Sequence, residues 1–471
     1  MRKLITALMV ICIALGLVNS SAFAAAAPVS FSSAVSVVNL SGAAGTITFT
    51  YYNPDGTQAA QVTDSILAYA TNIYDPLQSA VPGGFQGGLV VSSDVQLATI
   101  SNLRGLDGAG KSISFASYDG FSGGTMNTYL PLLMANNYGY NTNISVQNAG
   151  AVDTAVTIAY SDGTVNNSIT VLKPGASVTI EQTTESHPPT AKVFSAILTS
   201  TLAPIVTAVV EVGPTLLAYS GFGSGSTLPI FPIVNANNYG YWSSVLIQNV
   251  GTADTTVTVS YAPTMAGTAC TETQTIAAGQ SARFAESAFT WRNIAGSTTD
   301  CALGVRFVGS GRVTANTGGV NSALVSVVNQ VNTDTSVNGN KGGAYGASDQ
   351  AAGGSTIVFP IIHDRNYGFW TAWFIVNNNT TDLAIGQVDC HVLGKDKLGA
   401  AVDMHFTNPA ILHQFDGWLQ NNINTIANGF IGGATCTGPA GSKMVGVVNQ
   451  LGAGTLWNGI DSLLVYEGIN P

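Results

Sequence analysis

The stretch LPLLMANNYGYNTNISVQN, from Leu130 to Asn148, decides the reading of this chain because it recurs. LPIFPIVNANNYGYWSSVLIQN runs from Leu228 to Asn249, VFPIIHDRNYGFWTAWFIVN from Val358 to Asn377, and a shorter match, AVSVVN, ends at Asn39. Each anchor asparagine is followed by a small polar turn and a second alternating segment. Ile47, Phe49 and Tyr51 stand 8, 10 and 12 residues past Asn39. Val156, Ile158 and Tyr160 keep those offsets from Asn148, and Val257, Val259 and Tyr261 keep them from Asn249. In the last copy one residue is inserted, so Val388 and Cys390 take the inward positions.

The copies also share their ends. SVVNQ (Ser326 to Gln330), GVVNQ (Gly446 to Gln450) and TAVVE (Thr207 to Glu211) precede a tyrosine-glycine element. That element reads Tyr118-Asp119-Gly120-Phe121, Tyr219-Ser220-Gly221-Phe222 and Tyr466-Glu467-Gly468-Ile469, with a degenerate Tyr345-Gly346-Ala347-Ser348. Successive anchors lie 109, 101 and 128 residues apart, which is domain size rather than the roughly 20–50 residues of solenoid units.

Within each copy the apolar period is two. Val35 and Val37, Ile144 and Val146, Val245 and Ile247, and Trp373 and Ile375 alternate with small or polar residues. One face therefore points inward and one outward, as in antiparallel sheets with a solvated side. Asp55-Gly56 and Asp162-Gly163 mark tight hairpins, and helical periodicity is nearly absent after the amino terminus. These signals predict an all-β chain of four tandem immunoglobulin-like antiparallel β-sandwich domains. The expected units are 25–127, 128–226, 227–355 and 356–471, strung as a rod.

Composition fixes the setting. Arg2 and Lys3 precede an apolar run from Leu4 to Val18, and Ala22-Phe23-Ala24 offers small residues at the usual cleavage spacing. Residues 1–24 therefore read as a secretory signal peptide, with no membrane insertion expected after cleavage. Export permits disulfides, and the repeat pattern pairs Cys270 with Cys301 and Cys390 with Cys436. Only 8% of the residues are charged and the net charge is −10, which leaves no basic footprint for nucleic acid.

A resemblance follows from the repeated run. Leu130 to Met134, Asn137 to Tyr140 and Val146 to Asn148, with their second copy in Leu228 to Val234 and Asn238 to Asn249, are similar to repeats in secreted proteins of Chloroflexota-type filamentous bacteria. The resemblance implies a secreted or cell-surface repeat protein. It carries no catalytic residue over.

The residues themselves offer little chemistry. Gly120-Phe121-Ser122-Gly123-Gly124 matches a hydrolase elbow in letters only, since nothing around it reads as strand-to-helix. Five histidines, His187, His363, His391, His405 and His413, lack metal-ligand spacing, so no metal or cofactor site is expected. Asn39, Asn143, Asn166, Asn378 and Asn379 lie in glycosylation sequons, which matter only in a host that uses them. The aromatic turns stand out instead. Tyr138, Tyr140, Tyr239, Tyr241, Trp242, Tyr367, Phe369 and Trp370 are candidates either for wedging domain junctions or for stacking on sugar rings. The expected function is a secreted structural protein that assembles with copies of itself into a filament, sheath or surface layer, with no enzymatic activity. An adhesin or carbohydrate-binding module acting on extracellular polysaccharide is the alternative.

Repeat 1 departs from the others by lacking the LPxxM segment. Its sandwich is expected to miss one edge strand. Either Val29 to Ser33 fills that gap, or a neighbour's amino-terminal tail or Ser462-to-Pro471 tail does.

Overall fold

The computed structural model describes residues 27–74, 80–164, 167–290, 292–315, 323–332, 340–349 and 353–471; the predicted signal peptide lies outside them. Repeat 1 contains β1 (Ser30–Asn39), β2 (Gly45–Tyr52), β3 (Gln58–Ile66), β4 (Thr71–Tyr74), β5 (Gly88–Ser93), β6 (Leu97–Leu106) and β7 (Ser112–Asp119). Repeat 2 contains β8 (Asn127–Met134), β9 (Asn141–Asn148), β10 (Thr154–Tyr160), β11 (Asn167–Leu172), β12 (Ser177–Glu181), β13 (Val193–Ser200), β14 (Ile205–Val212) and β15 (Leu216–Ser220). Repeat 3 contains β16 (Pro229–Ala236), β17 (Tyr241–Asn249), β18 (Thr255–Ala266), β19 (Cys270–Ile276), β20 (Ser281–Phe284), β21 (Thr298–Thr299), β22 (Phe307–Ala315), β23 (Leu324–Asn332), β24 (Lys341–Gly346) and β25 (Ser348–Asp349). Repeat 4 contains β26 (Thr356–Asn366), β27 (Phe369–Asn377), β28 (Asp389–Lys395), β29 (Ala401–Thr407), β30 (Gly417–Asn421), β31 (Phe430–Thr437), β32 (Met444–Gly452) and β33 (Leu463–Glu467).

Every ladder between these strands is antiparallel. Repeat 2 sets β12-β9-β14-β15 against β11-β10-β13-β8, and repeat 3 sets β20-β17-β23-β24 against β21-β19-β18-β22-β16-β25. In repeat 4 the two layers run on through the β26–β27 hairpin. The all-β, four-sandwich fold is thus in place, and the period-two positions fill the cores. Ile47, Phe49, Val156, Ile158, Val257, Val259, Val388 and Cys390 are all buried. The disulfides Cys270–Cys301 and Cys390–Cys436 are formed as expected, the second directly across the β28–β31 ladder.

The anchor asparagines explain why the motif repeats. Asn148 Nδ2 donates to the carbonyls of Val152 and Leu172 at 2.8 Å each, while its Oδ1 accepts from the Gly150 N–H. Asn39, Asn249 and Asn377 make the same three bonds to their own turns and facing strands. One amide thus closes a tight turn and ties it to the opposite sheet. Only a side chain offering two donors and an acceptor does both. Asn249→Ala strands the buried Ile276 carbonyl and frees the turn groups of Gly251 and Ala253, and is expected to cost about 2 kcal/mol, read as a lower urea midpoint. An unchanged midpoint would refute this role. Asn39 is buried in this way, so its sequon is closed to modification in the folded chain.

The rod expectation fails. The closing strands β7, β15, β24 and β33 pack side by side in a cycle, so repeat 4 returns against repeat 1 and the four sandwiches form a ring. Leu216 N–H and Gly342 N–H both donate to Asp461, just ahead of β33, and Ser220 Oγ donates to the Asp119 carbonyl at the other end. Starts meet starts and ends meet ends, so the four axial strands run the same way. Three of the four closing tyrosines are pinned to a leading strand by their hydroxyl. Tyr219, Tyr345 and Tyr466 donate to the carbonyls of Leu132, Ile233 and Ile361 on the leading strands β8, β16 and β26. Those leading strands then pack on the next repeat: β8 on β17 and β23, β16 on β27 and β32, and β26 on β1 and β6.

Repeat 1 has no leading strand among the described residues. β5 pairs only with β2 there, so the expected gap is real. The chain's own Val29 to Ser33 does not fill it. Ser30 to Ser33 extend β1 along β6, from Ser30 opposite Leu106 to Ser33 opposite Leu103. At the carboxyl end, Ile469 bridges Val358 and Asn470 Nδ2 donates to the Thr356 carbonyl, so that tail is committed to its own repeat. Backbone hydrogen bonds draw both segments into ladders they already complete.

Candidate functional site

The NYG runs form two-residue β-hairpins. Asn137 and Tyr140 exchange backbone bonds at 2.9 Å, with Tyr138 at φ 50° and Gly139 at φ 87°. Tyr239-Gly240 and Tyr367-Gly368 repeat those angles. Two successive positive φ values define the type I′ turn that suits a right-twisted hairpin. Glycine takes the second position freely, whereas tyrosine at the first carries a small strain. The turn throws that tyrosine outward: Tyr138, Tyr239 and Tyr367 are 91%, 71% and 83% exposed.

All three tips lie at one end of the ring. Tyr140 Oη shares a 2.7 Å bond with Thr215, which leads into β15. Asn332 Nδ2 donates to the Tyr239 carbonyl near the approach to β24, and Trp457 Nε1 donates to the Tyr367 carbonyl ahead of β33. This is the end at which the axial strands begin. Arg306 stacks 4.7 Å over the Tyr239 ring and donates from Nε to Asn238.

The other five predicted aromatics are half-buried, and four of them turn inward. Tyr140 and Trp242 pack on the repeat 2 core, so Trp242 bridges from repeat 3. Tyr241 packs on the shared core of repeats 3 and 4. Phe369 lies 5.8 Å from Phe115 and 4.4 Å from Trp457, closing the junction of repeat 4 with repeat 1. Trp370, half-buried, sits opposite Leu451 in the β27–β32 ladder. Burial pushes the Tyr140 and Tyr241 hydroxyls up to about 12. The eight candidates divide: three present faces to solvent, four pack against cores or junctions, and Trp370 lies half-buried on β27.

Beneath the hairpins, on the axis, Asp461 accepts the Leu216 and Gly342 N–H groups, and Lys341 Nζ donates to the Ile460 carbonyl and Ser462 Oγ. Burial pushes the Asp461 carboxyl up to about 8 despite those donors, and lowers Lys341. Strand register brings two histidines together that sequence spacing had left scattered. His391 and His405 lie opposite each other in the β28–β29 hairpin, rings stacked at 4.4 Å, each holding an aspartate, Asp403 and Asp389. Parallel rings have no common in-plane point for a cation, so chelation there needs one ring to turn. Ser122 lies between β7 and β8, and no helix follows it.

No protein-family model and no curated protein matches the chain. Among solved structures, one of a tetra-tandem repeat in the extending region of a large adhesion protein is similar at 10% identity, covering 93% of this chain and 95% of that one. Its TM-score of 0.10 is too slight to bear on function.

Proposed function

We propose that this is a secreted structural protein of the cell surface, whose four-sandwich ring is the building block of a larger assembly of its own copies. The observation that carries the reading is the make-up of the outward sheet faces. Thr256 and Thr258 pair with Thr275 and Thr273 across β18 and β19, hydroxyl to hydroxyl at 3.2 and 2.9 Å. Thr46 and Thr48 line the outward side of β2. A chain with only 8% charged residues keeps such faces neutral, where a protein that stays dispersed usually carries mixed charge. Neutral hydroxyl faces suit packing against like faces. The amino-terminal apolar segment and the two disulfides fit export to an oxidising compartment.

The exposed tips Tyr138, Tyr239 and Tyr367 favour a second reading, an adhesin or polysaccharide-binding module. One experiment separates the two. Chain beginning at residue 25 is purified and followed by negative-stain microscopy and light scattering as concentration rises. Periodic assemblies that persist in Tyr138→Ala/Tyr239→Ala/Tyr367→Ala support the structural reading. A monomer at every concentration, with polysaccharide binding that the triple variant abolishes, replaces it with the second.

A further inference from the structure

We propose that the open side of repeat 1 is a receptor for one extended strand of another polypeptide, uncharged and apolar at its inward positions. Four observations place the slot. First, β5 uses one edge on β2 and has no described partner on the other, whereas its counterparts β13 and β22 pair on both sides. Its stretch Gly88 to Ser93 carries no charge, no proline and no bulge, the devices that normally blunt a free edge.

Second, the repeat 1 core is uncovered there. Val91 faces Phe49 across the ladder at the position held by Leu198 in repeat 2 and Val313 in repeat 3. Leu198 and Val313 are fully buried, while Val91 and its neighbour Leu89 are only half so. Third, the face that a leading strand would cover on the next repeat is only partly covered. Three and one residues before the anchors, Ser36 and Val38, Leu246 and Gln248, and Phe374 and Val376 are buried, but Ser145 and Gln147 of repeat 2 are not.

Fourth, the chain's own route into the slot is closed off. Ten residues before the anchors, Tyr138, Tyr239 and Tyr367 begin the turns that fold the leading strands back. Repeat 1 has Val29 there, its N–H bonded to the Leu106 carbonyl, and the strand runs straight on along β6.

The three filled copies state what fits. β8, β16 and β26 are apolar strands that each place a proline, Pro131, Pro232 and Pro360, where the ladder shifts register. In repeat 2 the strand lies between β13 and the Phe222 segment, which it bridges through Tyr129, so the space is one strand wide. A second sheet edge does not enter. A single segment does, gaining main-chain bonds from β5 and apolar contact from Leu89 and Val91. This inference does not depend on self-assembly, because any polypeptide with the strand pattern satisfies it.

The test uses a lysine-tagged synthetic peptide of residues 125–135 and the chain from residue 25, read by amide hydrogen exchange. Without peptide, Gly88–Ser93 should exchange roughly tenfold faster or more than Val193–Ser200. Peptide should slow exchange saturably at Gly88–Ser93, and the same peptide carrying Leu130→Asp and Leu132→Asp should not. β5 amides already as slow as those of β13 would mean the slot is filled, and would overturn the proposal. So would saturation with no change at β5, or protection only in other repeats. Because the readout is local exchange rather than particle formation, failure here leaves the assembly reading standing, and the reverse holds too.

Discussion

Raising the pH from 5.5 to 9 is expected to lower the melting temperature of this protein steeply, and Glu211→Gln is expected to remove a large share of the loss. The ring buries acids where its repeats meet. Glu211 of repeat 2 accepts one bond, from Asn329 Nδ2 of repeat 3 at 2.7 Å, and burial pushes its carboxyl up to about 8. Asp461 rises to a similar value from the same cause. At the seam of repeats 1 and 4, burial raises Asp119 and Glu467 as well, and the two carboxyls share a hydrogen bond that requires a proton. Each folded value lies above the unfolded one near 4, so the folded state holds more protons across the interval. Stability from these groups is complete below about pH 4 and is lost as pH rises toward their raised folded values, which for Glu211 and Asp461 lie at about 8. His363 works oppositely: burial lowers it to about 4, so its contribution is present above pH 6.5 and fades as pH falls. Four raised acids outweigh one lowered histidine, so the net contribution of these groups keeps rising as pH falls toward about 4. At about 1.4 kcal/mol per pH unit, Glu211 alone accounts for roughly 4–5 kcal/mol between its two values. Gln keeps an oxygen for Asn329 and has no proton to lose. Calorimetry across that range settles it: a flat or rising profile, or a Glu211→Gln profile parallel to the parent's, sinks the account.

The repeats were legible and the ring was not, for one physical reason. Sandwich cores are filled by residues at period two, and hairpins by glycine and asparagine at fixed turn positions, so both signals are local. The anchor asparagines could be aligned without knowing that each makes three hydrogen bonds. The ring rests on strands such as KGGAYG and LLVYE, which read as any buried strand. Which neighbour buries them is a non-local fact. A clue did stand in the degenerate third ending. Gly342, Gly343 and Gly346 are small because other strands approach them closely, and Glu467 at the parallel position meets the Gly346 N–H.

The candidate site divides along the same line. Recognising the Tyr-Gly pair as a type I′ turn would have separated the outward tips from Tyr140, Tyr241 and Phe369, two residues on. The register that joins His391 to His405 could have been counted back from the Asp396–Gly399 turn. Trp242 reaching the repeat 2 core could not, because that contact depends on how one repeat seats on the next.

Gly343→Val is expected to open the ring while leaving the sandwiches folded. A Cβ at Gly343 would stand 2.3 Å from Val465 Cγ2, closer than real Cβ contacts come, and a tight 3.3 Å from Leu463 Cγ. Val465 is buried and β-branched, and β33 is held in register by β32, so neither side chain nor backbone yields cheaply. One residue earlier, a Cβ at Gly342 would meet Thr215 of repeat 2. Adjacent glycines thus face different neighbours, and each valine should loosen one seam. Overpacking of this kind costs about 3 kcal/mol or more, taken from the contact of repeats 3 and 4. Each sandwich keeps its anchor asparagine, and repeats 3 and 4 keep their disulfides. Unfolding should therefore split into an early loss of ring closure with strand content retained, then a later melt. Small-angle scattering of Gly343→Val should show a larger radius at unchanged circular dichroism, while Gly123→Ala, with open space around it, should match the parent. A single unshifted transition at the parental radius would show that the axial glycines do not set the approach of the repeats.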